Sequence, residues 1–492
     1  MKNKPKLVLF ILMNYICANA GAQSKGNQQV TARQLFYSNN ATVITEEAKK
    51  SFGNAWIDFD NDGDEDLFVV NMGEHNSLYE NLGNGKFKIL NQDVAGSIVS
   101  DMGASFTTTW SDFNNDGLLD VFVGNFGEPS FLYIQDTNHM FTRVYQELLK
   151  KNKSNVQAAS WIDFDSDGDL DLYLGTKEQP NQLFVNQGKH GFKLSSVSNI
   201  DKEITSTHGI AWSDINNDNF PDLFLAENYK TTRNLFYMSD NATLNKVLID
   251  DKKLISIGAS WVDFDNDLDM DLFITNAMDE RNNLHLNNGS GQFKEIESNN
   301  LLKEKLNSMG ACWGDYDNDG DQDVFIANSG NQHNSFYLNL GEGQFQKLNE
   351  KPFNIKANSS RGCTSGDYDG DGDLDLMVTN GFGEKDNNEL YTNSGNNNNW
   401  LKLKLFGKTN RTPIGVKVII KTTKNGIKQG QIREISSQSG AYGHNSYTVH
   451  FGIGNTTIID EVKIKWMNGK IQIFKNIKPN KYYEILEGNA LK

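Results

Sequence analysis

Cysteine is nearly absent, at 3 in 492 residues. A chain this long with so few thiols has no disulfide framework. Basic residues are the minority, 47 Lys and Arg against 63 Asp and Glu, for a formal net charge of −16. Phosphate contact needs a net basic face, so a nucleic-acid binder working by bulk charge is excluded. Past the N-terminus no apolar run approaches the ~20 residues of a membrane helix. Hydrophobic residues reach only 37%, yet 29 Phe, 16 Tyr and 8 Trp supply a core. That excludes a disordered acidic chain. Catalytic signatures are missing too: there is no Gly-x-Ser-x-Gly, His-Glu-x-x-His or P-loop.

At the N-terminus, Lys2, Lys4 and Lys6 precede an apolar Leu7 to Met13, and Ala18, Ala20 and Ala22 offer small-x-small cleavage sites. This pattern predicts a secretory signal over 1–22. The apolar run is too short for an anchor, and Asn14-Tyr15-Ile16 before Cys17 make a poor lipobox. The mature chain then keeps Cys312 and Cys363. They sit three and four residues before their acidic loops, which predicts side chains on opposite strand faces and two buried free thiols.

One segment recurs seven times. Asp58-Phe-Asp60-Asn-Asp62-Gly63-Asp64-Glu65-Asp66 has copies beginning at Asp112, Asp163, Asp214, Asp263, Asp315 and Asp367. Trp56, Trp110, Trp161, Trp212, Trp261 and Trp313 stand two residues before the first Asp; the seventh copy has Ser365 there. After each loop comes a short apolar run, a polar loop, a second run and an Asn-x-Gly turn. That is four strands per ~50-residue unit, a propeller blade. The seventh unit stops at Gly395 without its last strand, and the segment from Gln34 to Thr45 looks like that missing strand. Strand exchange would close the ring and hide its sheet edges.

In each loop, oxygens at positions 1, 3, 5 and 9 plus the position-7 carbonyl can surround one hard cation, and Ca²⁺ takes six to eight oxygens. The candidate ligands are Asp58, Asp60, Asp62, Asp64 and Asp66 in loop 1, and Asp112, Asn114, Asp116, Leu118 and Asp120 in loop 2. Loop 3 offers Asp163, Asp165, Asp167, Asp169 and Asp171; loop 4 offers Asp214, Asn216, Asp218, Phe220 and Asp222. Loop 5 offers Asp263, Asp265, Asp267, Asp269 and Asp271, and loop 6 Asp315, Asp317, Asp319, Asp321 and Asp323. Loop 7 offers Asp367, Asp369, Asp371, Asp373 and Asp375. An EF-hand needs a Glu at position 12; here that position is apolar, from Val69 to Val378. Position 6 needs positive φ, which Gly supplies. Loop 4 has Asn219 there and loop 5 Leu268, where the left-handed conformation costs roughly 1–2 kcal/mol.

These repeats resemble the FG-GAP/VCBS family, the calcium-binding blades of integrin-alpha-like propellers, over residues ~50–395. The resemblance implies metal ligation by the matched positions, up to seven Ca²⁺ in all. From Asn396 the pattern changes to Lys-rich alternating strands, Trp400-Leu-Lys-Leu-Lys-Leu405 and Glu461-Val-Lys-Ile-Lys-Trp466 among them, which predict a β-sandwich. Asn410-Arg411, Ile414-Gly415-Val416 and Val449-His450-Phe451-Gly452-Ile453-Gly454 resemble the ASPIC/UnbV domain. Repeats followed by this domain form the architecture of cartilage acidic protein-like chains. The expected fold is therefore all-β: a seven-bladed propeller over 31–396, then a small β-sandwich over 398–488.

From residue 398 on there are 16 basic and 5 acidic residues, a net of +11 against −27 for the rest. Two readings stand: the domains dock by charge, or the lysines form a solvated face. The seven loops hold 32 of the 63 acids, so the acidity is a set of cation cages rather than a solubility coat. The functional expectation is a secreted, periplasmic or cell-surface calcium-binding module for a glycan or protein ligand, with His208 and Arg361 near the ring axis as ligand contacts. The alternative is a calcium-dependent polysaccharide lyase-like enzyme or a secreted maturation factor, an idea that rests on fold analogy. Extracellular calcium modules bind at ~10⁻⁴–10⁻³ M. Calorimetric titration of single-loop Asp→Ala variants should place loops 4 and 5 as the weakest sites; strongest binding at loop 5 would contradict this.

Overall fold

The computed structural model describes residues 34–144, 154–195, 203–229, 232–349, 351–354, 356–409, 411–424 and 426–491. The predicted signal segment lies outside them. The first acidic loop joins strands Ser51–Ile57 and Asp66–His75, and strands Ser77–Asn81 and Phe87–Ile89 complete that sheet. Six further units repeat this antiparallel order, with first strands at Met102–Ser111, Val156–Ile162, Ile204–Ser213, Ser256–Val262, Ser308–Gly314 and Ser360–Gly366. First strands of neighbouring units pack side by side around the whole ring, the seventh against the first. This is a seven-bladed propeller.

The ring closes as the orphan strand predicted. Phe36–Ser38 pairs with the third strand of blade 7, Phe36 opposite Asn393 and Ser38 opposite Tyr391. Phe36 is buried among Tyr316, Phe336 and Phe353, its ring centroid 5.3–5.6 Å from each. The N-terminal strand thus fastens the last blade, as a terminus does when tied into a sheet.

Two devices join neighbouring blades. The conserved-spacing Trp packs on the blade before it: Trp161 stacks on Phe113 with centroids 5.4 Å apart and planes at 4°, and Trp56 stacks on Tyr368 at 6.0 Å and 8°. The second device is a residue that the sequence pattern marks only as the start of a turn. The Asn ending the third strand sends its amide to the previous blade's loop: Asn81 to the Tyr368 carbonyl, Asn186 to Phe113, Asn287 to Ile215, Asn339 to Phe264 and Asn393 to Tyr316, at 2.7–3.0 Å. Gln135 reaches Phe59 in the same way at 2.8 Å. Blade 4 has Ser239 there, too short to span the gap.

Cys312 and Cys363 are buried and free. The one-residue offset does not separate them, however, because Cys363 lies within hydrogen-bonding reach of the Cys312 thiol. Alternation of faces holds within one sheet, and these strands belong to different blades.

The C-terminal part is a β-sandwich. One sheet holds Thr448–Gly454, Asn399–Phe406 and Lys481–Leu486 in that order; the other holds Ile427–Glu434, Lys417–Lys424, Ile459–Lys465 and Ile471–Ile477. Alternate residues Leu401, Leu403 and Leu405 meet Val418, Ile420, Val462 and Ile464 in its core.

The Asn tethers can be weighed by mutation. Asn393→Ala leaves the buried Tyr316 and Leu374 carbonyls without their donor and should cost about 1–3 kcal/mol, read by urea unfolding. Ser239→Ala, whose hydroxyl has no partner, should be close to neutral.

Candidate metal centres and the face that covers them

Each acidic loop is built by its backbone. Position 6 has positive φ in all seven copies, from 75° at Asn219 and Leu268 to 110° at Gly320. Position 4 is left-handed as well, at Asn61, Asn115, Ser166, Asn217, Asn266, Asn318 and Gly370. The position-6 N–H donates to Oδ2 of the first Asp in every loop, at 2.8–3.2 Å. The ninth-position Asp accepts from a third-strand N–H, as Asp66 does from Asn81 at 2.7 Å and Asp375 from Asn393 at 2.8 Å. So the first and ninth acids shape the loop as well as facing its centre.

Five loops gather three carboxylates each with ligand oxygens within 4.8 Å of one another, namely Asp58/Asp60/Asp62, Asp163/Asp165/Asp167, Asp263/Asp265/Asp271, Asp315/Asp317/Asp323 and Asp367/Asp369/Asp371. Loops 2 and 4 carry Asn114 and Asn216 in place of the second acid. Burial pushes Asp66, Asp120 and Asp271 up to about 9, although backbone N–H bonds pull the other way. Asp163 rises to about 7 through burial and its neighbours Asp167 and Asp165. The bare loops therefore call for positive charge. Their orphaned oxygens agree: Asp58 Oδ1, Asp163 Oδ1, Asp265 Oδ1 and Asp367 Oδ1 are buried without a partner. An all-oxygen donor set with unpaired carboxylate oxygens fits a hard divalent cation.

The sandwich covers this face. Every loop is touched: Lys404 pairs with Asp58, Lys465 with Asp214 at 2.9 Å and Lys402 with Asp367 at 2.7 Å. The Asp112 N–H donates to Thr412 Oγ1 at 2.7 Å, and the Gly454 N–H to the Asn318 carbonyl at 2.7 Å. Thr409 packs on Gly168, and Leu268 packs on Gly430. The three paired lysines are only 12–20% exposed, so the solvated-lysine reading is corrected. The strand Asn399–Phe406 turns one face to its own core and the other, through Lys402 and Lys404, to the acids, while Lys421 on the second sheet stays half exposed.

The sandwich also sends the segment 436–447 down the propeller axis. Ser437 donates to the Trp161 carbonyl and accepts from its N–H, at 2.8 and 2.9 Å. Gln438 accepts from the Ile210 N–H, and Gly440 bridges to Ala259. Gly443 and His444 pair in parallel with Asn54 and Ala55. Asn445 accepts from the Ser365 N–H and lies on Cys312, while Tyr447 donates to the Trp110 carbonyl. A Cβ at Gly310 would stand 3.0 Å from the Ala441 carbonyl. All seven blades thus touch the insert. The sequence carried a signal for it: five first strands have Gly five residues before the loop, at Gly53, Gly209, Gly258, Gly310 and Gly362.

His208 and Arg361 come together at the far end of this axis, but below the surface. The tip of the insert reaches them: Tyr442 Oη bonds His208 Nδ1 at 2.7 Å, and Asn228 holds Nε2 at 2.8 Å. Burial, then Arg361 and Lys177, take the imidazole down to about 3. Arg361 lies 3.7 Å under the ring of Phe382 with its Nε unpartnered.

Seven such acidic loops on a closed ring define a repeat propeller with candidate metal loops, here covered by a basic sandwich. The chain belongs to the FG-GAP-like repeat family, whose model matches residues 58–123, 112–174, 163–225, 263–326 and 315–378, more than half of its length. The ASPIC and UnbV model matches residues 406–492. Among curated proteins, cartilage acidic protein 1 of Homo sapiens is 27% identical over 181 residues, covering 35% of this chain and 27% of the relative. Its Xenopus tropicalis counterpart is 23% identical over 312 residues, covering 61% and 40%. The chain therefore spans well under half the length of these relatives. Among solved structures, an Agrocybe aegerita lectin with specific recognition of non-reducing terminal N-acetylglucosamine gives a TM-score of 0.44 at 14% identity, covering 85% of this chain and 99% of that one. BBS1N in complex with ARL6DN gives 0.46 at 10%, covering 73% and 98%.

The axial insert makes a direct prediction. Ser437→Ala removes both bonds to Trp161 and should lower unfolding free energy by about 1–3 kcal/mol. A thermal melt unchanged from wild type would show the insert to be a passive passenger.

Proposed function

We propose that the chain is a secreted calcium-binding β-propeller that acts as a binding module for an extracellular glycan or protein ligand. The loop positions named above would hold up to seven Ca²⁺, each ion neutralising a carboxylate cage and fixing the loop between two strands. The charged N-terminal pattern supports secretion, and no helix among the described residues is long and apolar enough to cross a membrane.

One observation carries the choice of surface. The sandwich covers the acidic face and fills the axis, so the opposite face is left for a partner. On this side stand Met72, in the outer part of the second strand of blade 1, and Tyr229, Met278 and Phe382, which follow the second strands of blades 4, 5 and 7; all four are 38–62% exposed. Exposed apolar side chains presented on one side of a rigid scaffold are candidates for an interaction surface. Beneath them Arg361, buried, has no carboxylate pairing with it among the described residues. The lyase alternative would need His208 to take a proton, and both its ring nitrogens are engaged.

The test is a glycan and protein array probed with the full chain. Phe382→Ala and Met278→Ala should weaken any hit by about tenfold, the scale of one lost apolar anchor. Lys402→Met, on the covered face, should leave it unchanged. Binding that ignores the first pair and falls with the third would refute this choice of face, and unsaturated products from a glycan hit would favour the enzyme.

A further inference from the structure

The first Asp of a loop has two oxygens, and in loops 1 and 7 they face different ways. Asp58 Oδ1 and Asp367 Oδ1 are buried with no partner. Oδ2 of each takes the position-6 N–H and a lysine of the sandwich, Lys404 on Asp58 and Lys402 on Asp367. Lys402 and Lys404 are alternate residues of one strand, Asn399–Phe406, so they point the same way and reach adjoining blades. Loop 4 is engaged doubly: Lys465 holds Asp214 Oδ2, and Lys417, its cross-strand neighbour, holds the Asp214 carbonyl.

The other loops are covered differently. Arg411 packs on Gly117 of loop 2. Arg433 lies near Asp263 of loop 5 and near Asp315 and Asp321 of loop 6. Loop 3 keeps all five acids, and its sandwich neighbour is Thr409, an uncharged side chain. Among the described residues no Lys or Arg is a leading electrostatic influence on Asp163, Asp165 or Asp169. Loops 1, 3, 6 and 7 are complete by sequence, and among the described residues loops 1, 6 and 7 have a basic side chain of the sandwich beside them where loop 3 has Thr409.

Building on the calcium reading, we propose that the sandwich lysines hold down the metal affinity of loops 1, 4 and 7, so that loop 3 is the tightest site and metal occupancy is linked to domain docking. A divalent cation on Oδ1 and an ammonium on Oδ2 share one carboxylate and repel across it. Low local dielectric strengthens that repulsion. Linkage makes the effect reciprocal: a lysine that weakens the ion is itself weakened by the ion. The sandwich is then a cover whose grip on blades 7, 1 and 4 slackens as calcium rises, while the axial insert keeps it attached.

The test is calorimetric calcium titration of the full chain and of Lys404→Met, Lys402→Met and the charge-keeping Lys404→Arg. Each Met variant should move one site about tenfold tighter, a ~1.4 kcal/mol change, and the Arg variant should stay at the wild-type value. Asp163→Asn should remove the tightest site. Met variants that bind calcium equally or more weakly, or a tightest site that survives Asp163→Asn, would overturn the proposal and leave the calcium reading standing. A wild-type chain that takes up no calcium would overturn both. If a Met variant unfolds, Lys404→Gln repeats the test with a polar side chain.

Discussion

Thirty-two carboxylates gathered into seven loops on one rim of a ring are the constraint from which the rest of the structure follows. Like charges at such spacing repel, and burial makes the repulsion worse. Two sources of positive charge answer it. Divalent cations would fit the unpaired oxygens inside the loops. The sandwich brings lysines and arginines to the outside of the same cages. A buried ion pair by itself is weak evidence of stability, because desolvation offsets much of the attraction. Here the pairs do something more specific: they fix which face of the sandwich meets which blades, since Lys402, Lys404 and Lys465 each find a first-position Asp.

Charge alone would leave two domains touching at a rim, where relative motion is the usual expectation. The insert removes that freedom. It gives each blade a contact at the axis, where first strands are lined with Gly and Ala and a side chain on either partner would collide. The ring's inner strands spend their spare hydrogen-bonding groups on the sandwich's own loop.

Much of this was legible in the sequence, and the limits have physical causes. The Asp spacing gave blade count, loop position and the left-handed position 6, including the strained Leu268. The orphan Phe36 segment gave ring closure. What stayed hidden were features carried by residues with ordinary local explanations. Asn at position 4 carries no distinctive local pattern, and Asn at the end of the third strand reads as a turn former, yet the first holds a second left-handed residue and the second tethers blades. The alternating lysines fitted a solvated strand face equally well until the acidic loops were seen beneath them. For His208 and Arg361 the periodicity says nothing about depth, and Tyr442 from 234 residues away lies against His208. Contacts of that range leave no trace in a local pattern.

The picture is of a propeller whose two faces have separate duties, one covered by the sandwich and its lysines over loops that would hold cations, and the other left free. On the proposed calcium reading, the acidic loops need cations to be stable. Differential scanning calorimetry of the full chain in millimolar calcium and in excess chelator tests that most directly. Ligands that bind the folded state raise its melting temperature. The account predicts a fall of many degrees on chelation, recovered when calcium is restored. A melting temperature indifferent to chelator would mean that hydrogen bonds and lysines alone hold the cages, and the account would be wrong.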